Sequence, residues 1–299
     1  MSHFCGIVVG KDIPGQLEKY NEQNDVEPYV TEAVTEEEKT GFLEYYTKEK
    51  KIKDGISFAD AYSIFGEDWN SGSWKQNESG IWENWSTYNP NSKWDWYLVG
   101  GRWTGYFKLK EGKIGAVGRP GVGTSPAEKG WADSVIKGDI DIEGMIKDKY
   151  NKALKHYQNI ASCFESGEIP KLDLKWNDEK VWHGFNIEDK RSAYHAQPAM
   201  VKVIEARNNE SLSEKQRDSL FMVDMEDFDG LSAEQYAKKQ SKKAFVPYCL
   251  VINGEWMSRG RMGWWGVSHD ESESWEDFFM KKWADIPENE ILTLIDFHI

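Results

Sequence analysis

The sequence predicts an α+β fold: a mostly antiparallel sheet with a ferredoxin-like core and a largely helical insertion. Three observations lead there. Strand-like runs stand at both ends of the 299-residue chain, Ser2 to Gly10 and Ile291 to Ile299. Near the C-terminus two extended runs flank Asn253-Gly254, a hairpin turn signal, and an amphipathic helix precedes the final strand. Between them, from about Asp139 to Lys243, the pattern is mainly helical. Residues 1–138 are read as the N-terminal part of the core with a Trp-rich hairpin, 139–243 as the helical insertion, and 244–299 as the C-terminal part of the core.

Each element has a local reason. Ser2 to Gly10 is apolar and branched, and Pro14 to Tyr20 suits a short helix. Thr35 followed by Glu36, Glu37 and Glu38 is a helix start, an N-cap with acids on the positive dipole end. Phe42, Leu43, Tyr45 and Tyr46 give that helix its apolar side. Ser57 caps a second helix with Phe58, Tyr62, Phe65 and Trp69 on one face. Asn70 to Pro90, polar and punctuated by Trp74, Trp82 and Trp85, reads as a loop that packs back. Trp94 to Val99 is a strand, Gly100-Gly101 a bulge or tight turn, and Arg102 to Phe107 resumes the strand. Gly115 to Pro126 lacks the Walker pattern and reads as a mobile loop carrying Arg119. Asp141 to Phe164 is the longest helix, ended by Gly167 and Pro170. Lys171 to Gln197 is irregular, Met200 to Ala206 strand-like, and Leu212 to Phe228 and Ser232 to Ala244 helical. Val246 to Ile252 and Glu255 to Met262 form the late hairpin. Ser274 with Asp277 makes a capping box for the last helix, which buries Trp275, Phe278, Phe279 and Trp283.

Composition narrows the function classes. The net charge of −14 disfavours broad binding to nucleic-acid backbone or anionic membrane, because counterion release needs Lys and Arg. It leaves room for a small anion in a local basic pocket. Three sparse cysteines, Cys5, Cys163 and Cys249, argue against a disulfide framework or structural zinc. No apolar run approaches the roughly 20 residues of a membrane span. No basic n-region precedes the first strand, so no signal peptide is expected. The expectation is a cytoplasmic protein with no cofactor. Nothing in the sequence excludes a homo-oligomer.

Two groups of residues carry chemistry. The run Lys93 to Phe107 and the later Gly263-Trp264-Trp265-Gly266, bracketed by Arg259, Arg261 and His269, combine aromatic faces, glycines and guanidinium groups. Trp94, Trp96, Trp103, Trp264 and Trp265 are the stacking candidates. Arg102 and Arg261 are the phosphate candidates, and Asp95 lies beside them. The competing reading is a hairpin whose tryptophans are core and whose Arg102 pairs with Asp95. The second group follows from topology. In a ferredoxin-like core the first and last strands are antiparallel neighbours, which brings His3 next to His298. Alternation then adds Asp296 and Cys5 to the same corner. His3 and His298 are candidates for general acid and base, with Asp296 as partner. As metal ligands the three lack motif spacing. The competing reading leaves both histidines simply in solvent.

These blocks resemble an uncharacterised family of phage and prophage proteins. Its pattern is an opening S-H-F-T-V strand, a central W-D-W-Y-x-x-G-G-R-W, a late M-G-W-W-G and a closing D-x-H-I. The matching residues are Ser2 to Gly6, Trp94 to Trp103, Met262 to Gly266 and Asp296 to Ile299. Cys5 stands where the family usually has Thr. This departs from the H-x-T motif of two-histidine phosphoesterases, and no second such motif occurs. The resemblance implies a phage or prophage origin, a protein of the host cytoplasm and a role against host defence.

The sequence favours the first of three functions, a non-enzymatic binder, and keeps the other two as alternatives. The first is a binder that sequesters a small phosphorylated or nucleotide-like ligand, such as a defence signal. The second is a phosphodiesterase or nucleotide hydrolase using the histidine pair. The third is an acidic, Trp-rich inhibitor whose partner is a host defence nuclease.

Overall fold

The computed structural model describes residues 2–299 except Lys50, Asp54, Asn177, Glu179, Met222, Asp229, 263–267, Asp270, Glu271 and Glu273. The chain opens with strand β1 (His3–Val9) and helix α1 (Ile13–Leu17). A small unit follows: β2 (Tyr29–Ala33), α2 (Glu36–Lys48), α3 (Phe58–Asn70), β3 (Trp74–Gln76) and β4 (Trp82–Ser86). Next come β5 (Trp96–Gly101), β6 (Phe107–Lys108), β7 (Arg119–Pro120), β8 (Trp131–Ala132) and β9 (Ser134–Ile136). A helical stretch holds α4 (Ile142–Ala161), α5 (Ile187–Ala196), α6 (Pro198–Arg207), α7 (Glu214–Phe221) and α8 (Ala233–Ser241). The chain closes with β10 (Cys249–Ile252), β11 (Glu255–Ser258), β12 (Arg261–Met262), β13 (Ser268–His269), α9 (Trp275–Asp285) and β14 (Ile291–His298).

The main sheet corrects the expected topology. Seven strands run β11-β10-β1-β14-β5-β7, with β9 also pairing β14. The sheet is mixed: β1 lies parallel to β10, and β5 parallel to β7. A ferredoxin-like sheet has only antiparallel neighbours, so the parallel β1·β10 pair excludes it. Parallel strands need a long crossover, and here the chain from Gly10 to Tyr248 serves as one. The adjacency of the chain ends survives this change, because β1 and β14 pair antiparallel with His3 opposite His298.

Alternation along these strands divides the apolar residues between two faces. Ile7, Val9, Leu250, Leu292 and Leu294 face Trp275, Phe279 and Trp283 of α9. Phe4, Val8, Val251, Ile295 and Phe297 face the other way, packed with Leu17, Tyr20 and Trp94. Helix α4 begins in the first core through Met145 and ends in a separate helical core through Ala153 and Ile160.

Four local expectations fail. Met200 to Ala206 is helical, not extended: Pro198 sits in the first turn of α6, and Ala199, Met200, Val203 and Ala206 are buried at helical spacing. The Trp74 to Trp85 stretch is not a loop. Its β3 and β4 pair with β2, and Trp74 packs with Phe42, Tyr46 and Tyr62. Lys171 to Gln197 contains α5, capped by Asn186. The capping box at Ser274 is also absent, since its side chain makes no cap bond. Thr35 and Ser57 do cap α2 and α3, and Thr35 forms a full capping box with Glu38. Thr35→Ala is expected to lower stability by about 1 kcal/mol, read as a shift in the urea midpoint at unchanged slope.

Candidate functional site

One end of the main sheet carries polar residues on the face that elsewhere meets α9. Three strands supply them in register. His3 of β1 lies opposite His298 of β14, which lies opposite Trp96 of β5. One step inward, Cys5, Asp296 and Leu98 form the next row. Further along the same face the strands carry Ile7, Val9, Leu292 and Leu294, which belong to the core beneath α9.

Each imidazole is anchored by a carboxylate. His3 Nδ1 lies 2.8 Å from Asp296 Oδ1, and His298 Nδ1 lies 2.6 Å from Asp95 Oδ1. An ionised carboxylate only accepts, so each Nδ1 donates. The two rings meet edge to face with centroids 4.9 Å apart. Trp96 stacks on His298 at 4.8 Å and presents its edge to His3 at 5.3 Å. Neither Nε2 has a partner among the described residues, and neither is sealed from solvent in an unsatisfied state. The arrangement is two adjacent imidazoles, each oriented through Nδ1 by its own carboxylate, an orientation that general acid–base groups require.

The Asp296 carboxylate is almost fully buried, and its second oxygen, Oδ2, accepts the Arg102 backbone N–H at 2.9 Å. This explains the glycine before Arg102. Gly101 has φ +54°, and a Cβ there would lie 2.3 Å from Asp296 Oδ2. Residues 102–106 therefore turn rather than resume a strand, and the chain is extended again only at Phe107. The Arg102 side chain is exposed, and its guanidinium has no partner among the described residues. The Arg102–Asp95 pair of the competing reading does not form; Asp95 pairs with His298 instead.

A residue that the sequence reading missed holds this turn in place. Asp133 is fully buried. Its carboxylate accepts the backbone N–H groups of Gly105 (2.6 Å), Tyr106 (3.3 Å) and Gly118 (2.8 Å), and the Thr104 hydroxyl (2.9 Å). It thus ties the turn after β5 to the glycine-rich loop around Arg119. Gly121 N–H adds a bond to the Gly101 carbonyl at 2.8 Å. That loop is tethered at several points along its length.

Cys5 is beside the pair, and burial disfavours its thiolate. Burial pushes its thiol up to about 11, and the negative charge of Asp296 adds to the effect. Burial also raises the Tyr106 hydroxyl well above its usual range, with Cys5 next to it. At pH 8 the thiolate fraction of Cys5 is on the order of 100-fold below that of an ordinary thiol. Iodoacetamide labelling of the folded protein, followed by peptide mass mapping, should find Cys5 modified correspondingly slowly.

The other sequence candidates divide. Trp96 is 43% exposed and belongs to the corner. Trp103 is half-buried against the α9-side core. Trp94 is buried in the opposite core, its indole N–H on the Leu17 carbonyl, so it offers no open face for stacking. Arg261 is on β12 and lines a groove with Phe4 and Trp256, on the opposite face of the sheet from His3. Trp264 and Trp265 lie outside the described residues. Among the described residues no cluster of three or more His, Cys, Asp or Glu is arranged to hold a metal ion. No helix among them is long and apolar enough to cross a membrane. No protein-family model matches the chain, and neither a curated protein nor a solved structure shows significant similarity to it.

Proposed function

We propose that the corner formed by His3, His298, Asp296, Asp95, Trp96 and Arg102 hydrolyses a phosphodiester bond in a small nucleotide-like molecule. The observation that supports this most is the pair of adjacent imidazoles, each anchored through Nδ1 by a carboxylate. One imidazole, neutral, takes a proton from water through Nε2 as the water oxygen bonds to phosphorus. The other, protonated, gives its Nε2 proton to the leaving oxygen as the phosphorus–oxygen bond breaks. Asp296 and Asp95 keep both rings oriented and stabilise whichever ring carries the charge. Arg102 meets the phosphate oxygens, and the exposed face of Trp96 accepts a base.

A second reading is capture without turnover. It is favoured by the small exposure of the imidazole side chains, 11% for His3 and 6% for His298, beside a far more open Trp96. A panel of linear and cyclic nucleotides, incubated with the protein and recovered after denaturation, separates the two. Altered nucleotide supports hydrolysis, and intact nucleotide retained by the protein supports capture. Neither outcome, with a host protein co-purifying instead, removes both readings in favour of an inhibitory protein contact.

A further inference from the structure

The glycine-rich loop between Gly115 and Pro126 takes no part in the chemistry assigned to the histidine corner, yet the chain fixes it beside that corner. Strand β7 lies parallel to the end of β5, with Arg119 opposite Gly100 and Pro120 opposite Gly101. Arg102 is the next residue of the facing turn. The loop lies directly on this backbone. A Cβ on Gly118 would sit 2.2 Å from the Val99 carbonyl oxygen, and one on Gly121 would sit 2.9 Å from the Arg102 nitrogen and 3.3 Å from its Cγ. Only glycine allows that approach. Asp133 joins the two segments, since it accepts the Gly118 N–H from the loop and the Gly105 and Tyr106 N–H groups from the Arg102 turn. The Arg102 N–H in turn bonds Asp296, the carboxylate that orients His3. One continuous set of hydrogen bonds therefore relates the backbone at Arg119, the backbone at Arg102 and the histidine pair.

Arg119, like Arg102, is exposed, and its guanidinium has no partner among the described residues. Both stay unpaired in a chain with 51 acidic and 37 basic side chains. Two free guanidinium groups thus start from adjoining backbone positions, and the planar fork of each matches the oxygens of a phosphate. We infer that Arg119 is a specificity-determining residue of the corner, and that the ligand carries two phosphate groups. Arg102 meets the diester phosphate and Arg119 meets the second one. The second is a terminal phosphate in a linear dinucleotide and the other diester in a cyclic one. This inference rests on the corner as the nucleotide site, but not on whether the nucleotide is hydrolysed or kept.

The test compares the four homodinucleotides, each with and without a 5′-phosphate, and their cyclic forms, on the full chain and on Arg119→Ala, Arg119→Lys and Arg102→Ala. Affinity is read as KM where the dinucleotide is turned over, and as Kd from equilibrium dialysis where it is recovered intact. Absence of hydrolysis then bears on the proposed reaction alone. For at least one base, a form with two phosphates should be preferred over the unphosphorylated dinucleotide by about tenfold or more. Arg119→Ala should abolish this preference and leave the unphosphorylated dinucleotide unchanged. Arg119→Lys, which keeps the charge but not the fork, should retain part of it. Arg102→Ala should weaken every form. No interaction with any of these nucleotides overturns the inference. So does the lack of a preference for the second phosphate, or a preference that Arg119→Ala leaves intact. An equal loss of all forms in Arg119→Ala also overturns it, because the residue then supports the loop rather than reading a phosphate.

Discussion

Asp133→Ala should destabilise the protein by about 3–5 kcal/mol. The side chain is wholly out of solvent and is the common acceptor for three backbone N–H groups and one hydroxyl. Removing it leaves those donors in a dry interior, and each unsatisfied donor costs on the order of 1–3 kcal/mol. The costs are not additive, because the loops relax together. Asp133→Asn should cost less, about 1–3 kcal/mol. Its amide keeps one accepting oxygen but turns N–H toward at least one backbone N–H. Urea unfolding of the two variants checks both the size and the order. An unaltered midpoint for Asp133→Ala would mean that the two glycine loops do not depend on this carboxylate.

His298→Ala should reduce turnover of a susceptible nucleotide by about 10²–10⁴-fold, with a stability cost of about 1–3 kcal/mol from the lost bond to Asp95. The ring is held between Asp95 and Trp96 and lies at the end of β14. Its removal therefore takes away the proton-transfer group without opening the central core. Asp95→Asn distinguishes orientation from chemistry. It keeps the shape and a hydrogen bond but removes the charge that stabilises a protonated ring, so kcat should fall while KM changes little. A fall in kcat/KM carried entirely by KM would assign His298 to substrate binding instead.

Parts of this arrangement were legible in the sequence because they rest on short-range rules. Strand alternation placed His3 with Cys5 and His298 with Asp296 on shared faces, whereas the pairing of the first and last strands was expected only from a ferredoxin-like topology that the mixed sheet does not have, although the two strands do pair. The Asn253-Gly254 turn also followed from residue type, and both residues have positive φ, 51° and 75°. The parallel β1·β10 pair was not legible. Its partners are separated by nearly the whole chain, and nothing in either strand encodes the direction of its neighbour. Asp133 was hidden for a different reason. Its partners are mainly backbone N–H groups of glycine turns, which leave no side-chain pattern to match. Trp94 and Trp96 show the limit of counting aromatics. They are two residues apart, yet Trp94 precedes β5 and turns under α1, whereas Trp96 begins the strand and stays open. The chain direction at Asp95 decides this, and it is set by the contact with His298 across the sheet.

The most direct test of the account is whether His3 and His298 work as one unit. Turnover of a cyclic or linear dinucleotide substrate should be measured for the wild type, His3→Ala, His298→Ala and the double variant under one set of conditions. Each single change should remove nearly all activity, and the double change should cost little beyond either one. Full activity in either single variant, or losses that multiply in the double variant, would contradict a shared acid–base role for the pair.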